Sequence, residues 1–236
     1  MKTFENISKG EFVNEQQKHF DQDQILQGTY GDTGDEFKGC WMGCAANSLA
    51  RSKGIMISTS DHKVIAENIY GSESCEWLVR LNEKIFEYLP TKDSSQWVLD
   101  SAKATPEGVD HAVINSLEVP IKIWILEFTK STHKNKQVHK VTDLVIAALK
   151  SGSEEDLEKA RKAAADAAAA AYAAAADAAA AAYAAADAAA AYAAAYAAAA
   201  AAAAADDAYA DDAAARKEFY INLSKFVISQ LEKIKE

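Results

Sequence analysis

Cys40 and Cys44 stand four residues apart, a spacing that turns two thiols toward one side of a helix. Deprotonated and joined by Cys75 and a histidine, such sulfurs could hold zinc in tetrahedral geometry. His19 and Asp23 share the same spacing. An aspartate that orients a histidine makes a general base, for which Cys40 or Cys44 would be the nucleophile, so the set would suit acyl transfer or hydrolysis. Each pattern also has a plain structural meaning. Free cysteines are small, apolar and commonly buried, and His–Asp pairs one turn apart often serve only as surface hydrogen bonds. The thiols can thus be inert, metal-binding or reactive, and the inert reading carries most weight. Glu76, Arg80, Glu83 and Glu87 follow helical spacing. They form ion pairs on a helix surface, or else line a small polar cleft.

These residues need elements to position them, and the pattern before Ser151 is helical. Glu11–Leu26 carries Phe12, Val13, Phe20 and Ile25, and a Gly/Asp/Thr-rich loop, Gly28–Gly39, follows as the mobile rim of any pocket. Helices are expected over Gly39–Arg51, over Asp61–Tyr70 with Gly71 as its stop, and over Asp93–Ala104. Ser74–Leu89 is the clearest, with Leu78, Leu81, Ile85 and Leu89 on one face and Pro90 beyond it. Asp110 caps a further helix. Val119–Phe128 alternates like a strand, but no other strand offers to pair with it, so a helix is expected. Val138–Lys150 completes the series.

Between Ala163 and Ala215 the chain is almost wholly alanine, broken by isolated Asp and Tyr. Alanine favours helix because it loses no side-chain entropy. Ser153 and Asp156 form a capping-box pattern at its start, with Glu155–Lys159 and Glu158–Lys162 as supporting pairs. A single helix from Ser153 to Ala205 would be roughly 80 Å long at ~1.5 Å per residue, against a 150-residue domain about 40 Å across. The spacing of Asp166 and Asp177, and of Tyr172 and Tyr183, is eleven residues; it slips afterwards, so a fold-back or change of partner is expected after Tyr183. Small faces let helix backbones approach closely. Asp211 or Asp212 then caps an amphipathic helix bearing Tyr220, Leu223, Val227, Leu231 and Ile234. The expected architecture is all-α: a helical globular domain over 1–150, an alanine-rich rod over 151–212 and an amphipathic helix over 213–236.

Three segments carry a resemblance: His19–Ile25 with Gly28, Thr29 and Tyr30; Gly39-Cys40-Trp41-Met42-Gly43-Cys44; and Trp77–Pro90. With the alanine-rich tail, they resemble a family of uncharacterised proteins encoded by bacteriophages and prophages. Relatives carry a histidine shortly after the second cysteine, where this chain has Asn47. The resemblance implies a phage context and no particular reaction. By analogy with phage accessory proteins, it suggests binding and disabling of a host factor, such as a defence protein or its nucleotide signal.

Composition narrows the rest. Net charge is −10, and the seven acids Asp166, Asp177, Asp187, Asp206, Asp207, Asp211 and Asp212 supply most of it. That balance argues against general binding of nucleic-acid phosphates. The polar start predicts no signal peptide, and the alanine tract is too weakly apolar to span a membrane. Three cysteines without an export signal suit a reducing cytoplasm, that of an infected host cell. Patterns for phosphate loops, dinucleotide sites, nucleophile elbows and zinc peptidases are missing. The resulting expectation is a non-enzymatic binding protein that takes a host protein or small ligand, without metal or cofactor. Its candidate residues are His19, Asp23, Tyr30, Cys40, Trp41, Cys44, Arg80 and Glu83. A Cys/His hydrolase or metal–thiolate protein, and a structural rod that self-associates through its alanine faces, are the alternatives.

Overall fold

A computed structural model of the chain describes residues 1–5, 7–31, 37–53, 57–132, 136–174 and 213–234. The protein is all-α, with no strand among the described residues. Helices α1 (Lys9–Asp21), α2 (Trp41–Lys53) and α3 (His62–Tyr70) are followed by a 3₁₀ turn, Glu73–Cys75. Then come α4 (Glu76–Tyr88), α5 (Thr91–Ala104), α6 (His111–Ser116), α7 (Glu118–Thr132), α8 (Lys136–Ser151), α9 (Glu154–Ala174) and α10 (Ala213–Lys233).

Local chemistry fixes many of the ends. The Ser8 hydroxyl accepts from the Glu11 amide, the Asp61 carboxylate from Val64 at 3.1 Å, and the Asp110 carboxylate from Ala112 at 2.8 Å. Gly71, at φ 81°, ends α3 in the left-handed conformation that glycine adopts without strain. Val119–Phe128 is helical, inside α7. Its alternating isoleucines split, with Ile121 and Ile125 fully buried and Ile123 only partly so.

The chain divides into two compact units, Met1–Leu117 with Tyr220–Glu236, and Glu118–Phe219. The first unit has its core among α1 to α6. Leu49, Ile65, Leu78, Ile85, Phe86 and Ile114 have no exposed surface. The α4 face expected from spacing is the buried one, since Leu78, Leu81, Ile85 and Leu89 are all sequestered. From Tyr220 onward, the last helix adds Leu223, Val227 and Leu231, each wholly buried, and Tyr220 stacks on Tyr88 with ring centroids 4.8 Å apart.

In the second unit, Val141, Val145, Ala148, Ala160 and Ala164 form a core against which Leu126, Leu144 and Leu157 pack. Ala148 of α8 and Ala160 and Ala164 of α9 are thus buried in one cluster, where small side chains let helices pack closely. The expected capping box is replaced. The Ser153 amide donates to Ser151 Oγ at 3.2 Å, and the Ser151 hydroxyl donates to Asp156 at 2.7 Å, because the turn through Gly152 brings Ser151 back over the first turn of α9. Lys159 pairs with Glu155 at 2.9 Å as expected, and Glu158 pairs with Arg161 at 3.4 Å. The expected fold-back after Tyr183 and the cap at Asp211 or Asp212 lie outside the described residues.

Candidate functional site

The segment after α1 is bound to the rest of the first unit at almost every residue. Gly39 donates to the Gln24 carbonyl at 2.9 Å, Leu26 to the Gly39 carbonyl at 2.8 Å, and Cys40 to the Thr29 carbonyl at 2.6 Å. The Gln27 carboxamide caps the end of α4, donating to the carbonyls of Phe86 at 2.7 Å and Leu89 at 2.9 Å. The Gly28 amide donates to the Glu87 carboxylate at 2.9 Å. A Cβ on Gly43 would stand 1.9 Å from the Tyr30 carbonyl oxygen, so only glycine lets α2 and this segment lie so close.

Tyr30, thus placed, is 45 % exposed, yet its hydroxyl lies near the Glu83 carboxylate of α4. The pull of that carboxylate on the phenol proton, with burial and the Glu83 charge, pushes the phenol up to about 12. Glu83 also faces His62 Nε2 at 2.9 Å, while His62 Nδ1 lies 3.1 Å from the Ser60 carbonyl. Burial alone would raise the Glu83 carboxyl, but the hydrogen bond from His62 and the nearby Tyr30 hydroxyl, with the charges of His62 and Arg80, outweigh it and hold it below its ordinary value. One turn on, Glu87 is raised, chiefly by burial, against the Gly28 hydrogen bond and with the Glu83 charge adding to the rise. Two carboxylates one turn apart are therefore driven in opposite directions.

Cys40 immediately precedes α2 and is 1 % exposed. Burial pushes its thiol up to about 11, although the Met42 and Gly43 amides at the helix start favour the thiolate; the Glu87 and Glu83 charges add to the rise. At neutral pH it is a protonated thiol, a weak nucleophile. Tyr30, Cys40 and Glu83 thus form one neighbourhood. Arg80 borders it through its charge, while its guanidinium Nε donates to Glu76 at 2.9 Å.

The other candidate residues lie elsewhere. His19 is fully buried; its Nδ1 is 2.7 Å from Gln24 Oε1, its ring packs on Phe37 at 4.9 Å, and its Nε2 has no partner among the described residues. Burial lowers its pKa. The expected His19–Asp23 pairing is not made. Helix α1 stops at Asp21, and Asp23 has φ 54°, so the two are no longer one turn apart on a common face. Trp41 is a core residue whose indole N–H donates to Ser101 Oγ at 3.0 Å. The Cys44 thiol, fully buried, donates to the Gly39 carbonyl at 3.5 Å, and burial raises its pKa. Among the described residues, no group of three or more His, Cys, Asp or Glu is placed to hold a metal ion.

His62 is the functional neighbour that sequence reasoning missed. It lies 21 residues from Glu83, just past the capping Asp61, and no local spacing links the two. No helix among the described residues is long and apolar enough to cross a membrane. Compared with known proteins, the chain matches no family model, no curated protein and no solved structure.

Proposed function

We propose that this chain is a non-enzymatic binding protein, of the phage context its sequence resembles, that sequesters or inhibits a host factor in the cytoplasm of the infected cell. The factor is a defence protein or its small-molecule signal, and the recognition face is built on Tyr30, Glu83 and Glu87. One observation carries the reading: Tyr30 presents an exposed aromatic ring on a segment pinned by hydrogen bonds from Gly28 to Glu87 and from Cys40 to Thr29, with its hydroxyl near Glu83. A large side chain held rigid before binding loses little entropy when a partner covers it, which is why tyrosine recurs at binding hot spots. Thiol chemistry has less support, because Cys40 is buried and protonated and His19 is sealed within the core.

The test is capture from host lysate on the immobilised full chain, with protein and metabolite mass spectrometry of the eluate. Wild type is expected to retain a partner that Tyr30→Ala loses while remaining folded. Equal retention by both proteins would refute the assigned face, and chemical conversion of a retained metabolite would refute the non-enzymatic reading.

A further inference from the structure

Gln16 points from α1 into the first unit and is 2 % exposed. Its Nε2 donates to Ser48 Oγ at 3.2 Å, but its Oε1 has no partner among the described residues. Turning the amide over would only exchange an orphaned acceptor for an orphaned donor. A carboxamide arm left bare in the interior forfeits the hydration it has in the unfolded chain.

That arm lines a cavity of about 10 Å³, together with Phe12, Trp41, Tyr70, Ser101 and Thr105. A water molecule needs roughly 10–15 Å³ on this measure, so the space fits one water and nothing larger. The wall is polar. Trp41 donates to Ser101 Oγ at 3.0 Å, Asn82 donates to the Tyr70 hydroxyl at 2.8 Å, and the Thr105 hydroxyl donates to the Ser101 carbonyl at 2.8 Å. The Ser101 hydroxyl reaches only the Val98 carbonyl, at 3.3 Å, long for an O–H···O bond. Its proton is therefore available to a better acceptor.

We infer that this cavity is an internal hydration site. One ordered water donates to Gln16 Oε1, accepts from the Ser101 hydroxyl, and has its second hydrogen directed to the oxygens of Tyr70 and Thr105. A wholly apolar cavity of this size would stay dry; here the orphaned amide oxygen and the weakly bonded hydroxyl supply the two or more partners that hold a water. The bridge links α1 to α5 where no direct side-chain hydrogen bond joins Gln16 to Ser101.

Oxygen-17 magnetic relaxation dispersion on the full chain counts waters held longer than molecular tumbling. Wild type is expected to show one more such water than Gln16→Leu, which keeps the bulk and removes the amide. Equal counts would overturn the assignment. Should Gln16→Leu fail to fold, a high-resolution crystal structure of wild type decides the matter: density at hydrogen-bonding distance from the Gln16 amide supports it, and an empty cavity refutes it.

Discussion

Tyr30 and Glu83 bear on each other through phenol and carboxylate, and that proximity has a titration signature. Glu83→Ala removes both the acceptor and the negative charge, so the Tyr30 phenol should fall from about 12 toward the ordinary value near ~10. A ¹³C label on the tyrosine ring carbon that bears oxygen reads this directly. Thiol chemistry gives a second residue-scale prediction. With Cys40 held up to about 11 and all three cysteines buried, a disulfide reagent at about pH 8 should react with the folded chain far more slowly than with the denatured chain. Prompt titration of one thiol in the native protein would contradict it. At this scale the sequence was partly legible. Tyr30, Cys40 and Glu83, drawn from separate segments, meet at one place. His19 and Asp23 were misjudged because their pairing required α1 to continue two residues past its actual end, and His62 gave no local signal.

Between elements, the close passage of the Tyr30 segment over α2 sets the geometry of the candidate site. Gly43→Ala would drive a methyl into the Tyr30 carbonyl, costing about 1–3 kcal/mol by overpacking. It should also loosen the Tyr30–Glu83 approach, so the variant is expected to lose thermal stability and lower the Tyr30 phenol together. A stability loss with unchanged Tyr30 titration would separate the glycine from the site. The helices themselves were the most legible part, since α4's apolar stripe, the Gly71 stop of α3 and the cap at Asp110 rest on chemistry within one or two turns. The start of α9 was less so, because Ser151 competes for Asp156 and that competition depends on the Gly152 turn. The segment from Gln24 to Tyr30 could not be read locally at all. Its order comes from Gly39 and Cys40, just before α2, and from partners on α4 some sixty residues away.

For the whole molecule, buried titratable groups predict how stability responds to acid. His19 has a lower pKa folded than its ordinary 6.5. Below about 6.5 the unfolded chain gains a proton there that the folded chain refuses, so stability falls as pH drops through that value. Glu83, lowered in the fold, contributes stability that is present above its unfolded pKa near 4.5 and lost as pH falls through its folded value. Glu87, raised, acts in the opposite sense, relieving the fold as it takes up a proton above 4.5. Denaturant midpoints should therefore decline in two stages, and His19→Gln should flatten the first. Packing gives a further prediction: Leu223→Ala, at a fully buried position, should cost about 2–5 kcal/mol. Composition placed a boundary at Ser151, whereas packing divides the chain after Leu117 and returns Tyr220 onward to the earlier residues.

That return has a consequence for biosynthesis. Some ~100 residues separate Leu117 from Tyr220, and at about 5–20 residues per second a ribosome needs on the order of 5–20 s to translate them. Throughout that interval the emerging chain lacks Leu223, Val227 and Leu231, and the surface they later cover faces the cellular milieu. Arrested nascent chains ending before Tyr220 should therefore recruit hydrophobic-sequence chaperones, and chains extended past Lys233 and clear of the exit tunnel should release them.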